Sequence, residues 1–299
     1  MEKQPIMTGK IVLITGGTGG IGKQTALALA KLGARVIITG RSRESGEATV
    51  SELQQLSGNQ QIDLLLADLA TQSGVRSMAG QFTERYSHLD VLINNAGLVE
   101  SRRRLTEDGV EADFAVNVVA PYLLTQLLMD HLRSSLSTRV INLTGGRHPS
   151  NIDLDNLQAE RSFDGLNTYS HSKLVMMTVM VKMAQQMRGT NVTINVCYPG
   201  GTSTTMTRSV TPQMFPGLTR LFWPVFKLMT RADGGRSAAK AARSSVYLAS
   251  SPDVEGMNGN YFDTDSKSVE WPKAVLDRTT RRNLMNIVER LTEQNKSSI

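Results

Sequence analysis

Tyr169 and Lys173 stand four residues apart, in a Y-x-x-x-K spacing. On a helix that spacing puts both side chains on one face. A phenol titrates at about pH 10, and a neighbouring ammonium favours its phenolate. The pair then makes a proton donor to a carbonyl, or an acceptor from an alcohol. Alone, an i,i+4 Tyr–Lys pair is ordinarily surface decoration, so the reading depends on what surrounds it.

A second set of residues speaks to a nucleotide. Thr15-Gly16-Gly17-Thr18-Gly19-Gly20-Ile21-Gly22 follows an apolar run and opens a helical stretch. Glycine there permits a tight turn and close backbone approach to a diphosphate, and the helix N-terminus offers unpaired N–H groups to it. Gly17, Gly19 and Gly22 fit G-x-G-x-x-G, whereas Gly16, Gly20 and Gly22 fit T-G-x-x-x-G-x-G. Gly17 to Lys23 also fits most of a P-loop, with Asp68 ending an apolar run where a magnesium-binding carboxylate would stand. A nucleotide hydrolase is therefore the rival from another class. Against it, Gln24 occupies the position where a P-loop needs Ser or Thr.

These residues must be held by something, and the chain's rhythm says what. Lys10–Thr15, Ala34–Thr39, Gln61–Ala67, Val91–Asn94, Arg139–Leu143, Asn191–Cys197 and Gly259–Phe262 read as buried strands. Gly22–Leu32, Arg43–Ser57, Thr71–Tyr86 and Tyr169–Met187 read as helices between them. Strict alternation predicts an α/β fold, a doubly wound parallel sheet of about seven strands with helices on both faces. Two stretches break the rhythm, His148–Asn167 and Gly201–Asp233, and both leave from strand ends, where ligands of such folds bind. Leu284, Ile287, Val288 and Leu291 recur at helical spacing and predict a C-terminal helix docked on the core or a partner.

The 299 residues, 40% hydrophobic and 20% charged, suit one large domain, with no repeat or linker dividing it. The one cysteine, Cys197, lies in the apolar run Val192–Tyr198 and reads as a small core residue. The net charge of +6 gathers at Arg102–Arg104, Arg231–Arg243 and Lys273–Arg282. That reads as a solvated face, with phosphate-bearing ligands or an anionic membrane surface as the alternatives. Met1–Thr8 leaves no room for a signal peptide, and no run of about 18 apolar residues occurs. A soluble cytoplasmic protein, peripheral to a membrane if it touches one, is expected, with no nucleic-acid partner.

Five further elements follow the glycine run in order: Asp68, Asn94-Asn95-Ala96-Gly97, Asn117, Tyr169 with Lys173, and Pro199-Gly200 with Thr204. Together they resemble the short-chain dehydrogenase/reductase family from about Lys10 to Phe262. The wording of Thr106–Glu111, Tyr169–Leu174 and Gly259–Phe262 resembles its retinol-dehydrogenase-like branch. The resemblance implies a single Rossmann-type domain over 1–299, with the dinucleotide-binding core and the Tyr/Lys pair in 10–200. It also implies a small helical substrate lid at 201–235, and a C-terminal helical extension follows at 270–299.

By that resemblance Lys173 also binds the nicotinamide ribose, and Asn117 supports a water-linked proton relay. Gly16, Thr18, Gly20, Ile21 and Gly22 cradle the diphosphate. Asp68 and Leu69 meet the adenine, although Asp68 also reads as a helix cap. Asn95, Ala96 and Gly97 form the turn against the adenine ribose, and Pro199, Gly200, Thr202 and Thr204 face the nicotinamide amide. Gly40 takes the place of the acid that would bind the 2′-hydroxyl of NAD, and Arg41 and Arg43 follow. A missing anion and a guanidinium suited to phosphate argue for NADP(H), chiefly through Arg41, since Gly19 supplies no charge.

One position departs from the pattern. Within Asn142-Leu143-Thr144-Gly145-Gly146-Arg147-His148 the family's substrate-binding serine aligns with Gly145. Thr144, His148 and Ser150 carry the nearest replacement donors, and Thr144 serves only if the strand has turned there. A cofactor-binding sensor or interaction protein with weak or no turnover is thus the second reading. The apolar, sulfur-rich Met214–Met229 resembles the branch's substrate lid and predicts a lipophilic aldehyde, ketone or alcohol. An ordinary buried helix pair accounts for it equally. The oligomeric state is left open.

Overall fold

Ile11-Val12-Leu13-Ile14 is apolar at every position, so it suits a strand covered on both faces. The computed structural model describes residues 6–146, 148–201, 211, 224 and 236–293. In it these four residues form β1 (Ile11–Ile14), with Leu13 in one hydrophobic cluster and Val12 and Ile14 in the other. The chain continues through α1 (Gly20–Lys31), β2 (Arg35–Gly40), α2 (Arg43–Ser57), β3 (Ile62–Leu66), α3 (Gln72–Arg85) and β4 (Val91–Asn94). A short α4 (Ala112–Phe114) runs into a π-helical turn, Ala115–Val119, and on into α5 (Ala120–Leu127) and α6 (Met129–Arg133). Next come β5 (Thr138–Leu143), α7 (Gly165–Gln186) and β6 (Val192–Cys197). The remaining described elements are α8 (Arg236–Ser250), β7 (Tyr261–Phe262), β8 (Ser268–Val269), α9 (Lys273–Leu276) and α10 (Arg278–Glu293).

The strand order is β3-β2-β1-β4-β5-β6-β7-β8, parallel except for β8 against β7. The seven expected strands are all present. The eighth is two exposed residues at an edge, too short and polar to register as an apolar run. One face of the sheet packs under α3, α5, α7 and α10, the other under α1, α2 and α8. Direction reverses between β1 and β4, whose registers meet at Val12↔Val91 and Ile14↔Ile93, so the crevice opens beyond their carboxyl ends.

The expected C-terminal helix docks on the core as α10, with Leu284 and Val288 fully buried. Its last carbonyls are satisfied by α3: Gln72 Nε2 donates to Leu291 O at 3.0 Å and an Arg76 guanidinium N–H to Thr292 O at 2.7 Å. Three expectations need correction. The helix carrying Tyr169 begins at Gly165, so the tyrosine lies inside the helix rather than at its start. The stretch expected to be irregular from His148 to Asn167 therefore ends early, and it holds a 3-10 turn at Leu154–Asn156. Asp68 is not a helix cap: its Oδ1 accepts from Ala70 N at 3.0 Å, and Thr71 caps α3 by accepting from Gly74 N. The lid segment Met214–Met229 lies outside the described residues except for Pro224. Among the described residues no helix is long and apolar enough to cross a membrane.

Candidate active site

The turn after β1 is shaped by two glycines. Gly16 has φ +66°, in the left-handed region. A Cβ on Gly22 would collide with the Gly16 carbonyl oxygen and lie 2.5 Å from Asn95 Nδ2. The turn is then tied to the end of β4: Asn95 Nδ2 donates to Thr15 O at 2.8 Å and to Gly16 O at 3.1 Å. Thr15 Oγ1 accepts from both Asn95 N and Ala96 N at 3.0 Å. Asn95 therefore serves as a clamp on the loop. α1 starts with no side-chain cap and no acidic residue in its first turn, leaving its N–H groups and dipole facing the crevice.

That crevice is a cleft of about 860 Å³. It is lined by Gly16, Thr18, Gly20 and Ile21 from the loop, Arg41 from beyond β2, and Asp68 and Leu69 from beyond β3. Asn95, Ala96, Gly97, Thr144, Tyr169, Lys173, Pro199 and Gly200 complete the set of expected residues on its wall. Gly22 acts beneath the loop, and Thr202 and Thr204 lie outside the described residues. Lys23, the P-loop lysine of the rival reading, pairs instead with Glu52 of α2. Gly40 makes room for Thr18, since a Cβ there would come within 2.6 Å of the threonine methyl. Arg43 is engaged with Glu47 at 3.2 Å, whereas Arg41 is exposed on the cleft wall. An uncapped helix start, a glycine-shaped loop and a guanidinium at the β2 end fit the phosphates of a dinucleotide.

α7 positions the chemistry. Lys173 Nζ is buried, donates to Leu143 O at 3.1 Å and lies 6.0 Å from the centre of the Tyr169 ring. Burial pushes its pKa down to about 8, with the Asp113 carboxylate acting the other way. Tyr169 does not show the lowered pKa expected from its lysine. Burial, with the charges of Asp113 and Tyr198, pushes it above the usual phenol value. Asn117 sits in the π-helical turn, a distortion common at functional sites. Its side chain is fully committed: Oδ1 accepts from Leu98 N at 3.0 Å, and Nδ2 donates to Leu98 O and to Ser172 Oγ, both at 2.9 Å. Ser172 Oγ donates in turn to Tyr169 O at 2.8 Å, which joins the π turn to α7.

At the departure from the family pattern, a Cβ on Gly145 would stand 3.5 Å from the Tyr169 hydroxyl. Gly145 thus occupies the place beside the tyrosine where the serine aligns. Thr144 Oγ1 is buried with no hydrogen-bond partner. His148 lies off the cleft wall, packed edge-on to Tyr261 at 6.4 Å, its pKa lowered by burial. Ser150 is exposed and bonds Asn151. Cys197 is fully buried, and its thiol is pushed up to about 12 by burial, as befits a core residue.

Sequence reasoning missed three groups here. Asp113 is fully buried, accepts from Glu100 N at 3.0 Å and has its other oxygen unpartnered. Burial and the nearby Glu111 push its pKa up to about 8. Glu111 caps α4, accepting from Asp113 N at 3.0 Å and Phe114 N at 2.8 Å. Tyr198 lines the cleft at the end of β6. A short buried acidic pair within an apolar segment was visible in the sequence. The nearness of Tyr198 to β5 was not.

The short chain dehydrogenase family profile matches residues 10–214. Human retinol dehydrogenase 14 is 35% identical, the match covering 95% of this chain and 86% of that protein. Human retinol dehydrogenase 13 is 33% identical over 92% of this chain and 82% of that protein. Among solved structures, a protein from Mycobacterium paratuberculosis superposes with a TM-score of 0.73 at 24% identity, covering 97% of this chain and 96% of that one. A short chain dehydrogenase from Shigella flexneri, complexed with NADP, gives a TM-score of 0.65 at 23% identity, covering 88% of this chain and 100% of that one. With the glycine loop, the cleft and the Tyr169–Lys173 helix already in place, these matches establish that the chain belongs to the short-chain dehydrogenase family of oxidoreductases, in its retinol-dehydrogenase-like branch.

Proposed function

We propose that the protein is an NADP(H)-dependent oxidoreductase acting on a lipophilic aldehyde, ketone or alcohol, with Tyr169 as acid/base and Lys173 as its electrostatic partner. The observation that carries this is the single cleft onto which the phosphate cradle, Arg41 and the Tyr169–Lys173 pair all open. When bound, the nicotinamide supplies or accepts the hydride. Tyr169 gives its phenolic proton to the substrate oxygen in the reducing direction and takes it back in the oxidising one. Burial raises its pKa and makes it a weaker acid, so proton transfer depends on a neighbouring cation that favours the phenolate. The Lys173 ammonium steadies the phenolate left behind, and Leu143 O holds that ammonium in position. The retinol dehydrogenases among the relatives support a lipophilic substrate.

The test is a panel of lipophilic aldehydes and ketones, followed by NADPH and NADH absorbance, with cofactor binding measured separately. Tyr169→Phe is expected to lower turnover by about 10²–10⁴ while NADPH still binds. Unchanged turnover in that variant removes Tyr169 from the chemistry. NADPH binding without turnover on any carbonyl favours the sensor reading, for which Gly145 is the motive.

A further inference from the structure

A carbonyl oxygen that takes on negative charge is stabilised best when more than one donor meets it. Tyr169 is one. The family's second donor is absent at Gly145, so another hydroxyl is needed on the cleft wall. Ser172 Oγ is already committed between Tyr169 O and Asn117 Nδ2, and Thr144, though a wall residue, has its Oγ1 buried. Tyr198 is on the wall, anchored at the end of β6 by its N–H to Phe262 O at 2.9 Å.

Two consecutive glycines each leave room for a phenol. A Cβ on Gly145 would touch the hydroxyl end of Tyr169, at 3.3 Å from Cε1 and 3.5 Å from the oxygen. A Cβ on Gly146 would overlap the hydroxyl end of Tyr198 and lie 2.6 Å from its Cε2. Each glycine therefore vacates the space that one phenol fills, and both tyrosines line the same cleft. Tyr198 is also near enough that its phenolate form would raise the pKa of Tyr169.

We propose that Tyr198 is the second hydrogen-bond donor to the substrate oxygen, in the role that the resemblance gives to a serine at Gly145, and that Gly146 is the residue that admits it. This rests on the oxidoreductase reading above. The donor then arrives from the end of β6 rather than from β5, and space beside Tyr169 that a serine side chain would fill is open to substrate at Gly145. The step itself is unchanged: hydride reaches the carbonyl carbon, the proton of Tyr169 reaches the oxygen, and Tyr198 keeps its own proton while hydrogen-bonding that oxygen.

The test measures NADPH binding and carbonyl reduction in single and double variants. Tyr198→Phe is expected to lower kcat by about 10- to 1000-fold, as loss of one such donor does, with NADPH affinity unchanged. Adding Gly145→Ser to Tyr198→Phe is expected to restore at least tenfold of that loss, roughly the share one hydroxyl commands. Gly146→Ala is expected to lower kcat in the parent but not further in Tyr198→Ala, where no phenol remains to be displaced. Unchanged kcat in Tyr198→Phe, with turnover lost in Tyr169→Phe, overturns this proposal and leaves the oxidoreductase reading standing. A fall in NADPH affinity matching the fall in kcat makes Tyr198 a structural residue and overturns it too. No turnover by the parent on any carbonyl overturns both.

Discussion

The two ends of the cleft are built on different principles. At the β1–β2 end the work is done by backbone: Gly16 and Gly22 set its shape, Asn95 Nδ2 holds its carbonyls, and Thr15 Oγ1 accepts from the N–H groups that follow β4. At the β5–β6 end the work is done by side chains brought in from α7, the π turn and the end of β6. There several polar groups stay unsatisfied, among them Thr144 Oγ1 and one oxygen of Asp113. Unpartnered buried polar groups cost stability. The lesson is that the cofactor end is a rigid mould, while the substrate end is an electrostatic arrangement whose members hold one another's protons.

The first way to break this comparison is to alter the mould. In Gly22→Ala the new methyl meets the Gly16 carbonyl and the Asn95 amide, which are backbone and a clamped side chain that cannot give. Stability is expected to fall by about 1–3 kcal/mol in denaturant unfolding, as overpacking costs, and NADPH binding is expected to fall with it. Loss of one without the other would separate shape from binding and refute the mould.

A side-chain change at the same end is expected to do less. Arg41→Asp removes the guanidinium from the cleft wall and puts a carboxylate beside Gly40, where Thr18 prevents one from standing directly. NADPH affinity is expected to fall about ten- to a hundredfold, the size of a charge-assisted hydrogen bond, with NADH affinity gaining and stability unmoved. Unchanged NADPH affinity in a binding titration removes Arg41 from cofactor choice.

The same contrast explains what the sequence made legible. The mould is local: an apolar run, a glycine turn and a helix start are contiguous, so the strands, the loop and α1 follow from pattern alone. Asn95 was legible as a turn residue but not as a clamp, because its partners Thr15 and Gly16 are about eighty positions away. At the other end, Gly145 was legible as a missing hydroxyl. Its meaning as space was not, since that depends on β5 pairing with β6 and setting Tyr198 against Gly146. The lowered pKa expected for Tyr169 failed because spacing reveals the ammonium but not the burial, and burial is the larger influence. The π turn at Asn117 left no periodic signal, being five residues long.

The smallest expected effect at neutral pH tests the electrostatic end most directly. Asp113 is buried near Glu111, Glu100, Lys173 and Tyr169, and its pKa rises from 3.8 to about 8. A raised carboxyl pKa means that the folded chain keeps a proton that the unfolded chain has already released. Folding stability therefore declines as pH climbs from about 4 to about 8, by at most about 1.4 kcal/mol per pH unit for one proton. Lys173, depressed to about 8, acts in the opposite sense and only above that pH, where the unfolded chain holds the extra proton. The lower window thus belongs to Asp113 in this pair. Asp113→Asn keeps the hydrogen-bond acceptor for Glu100 N and removes the titration. Near pH 7 the variant is expected to bind NADPH as the parent does, because both side chains are uncharged there. Between pH 5 and 8 its unfolding free energy is expected to fall less steeply than the parent's. Parallel slopes for the two proteins across that window would show that Asp113 is already ionised, and the substrate end would then hold a fixed charge in place of a stored proton.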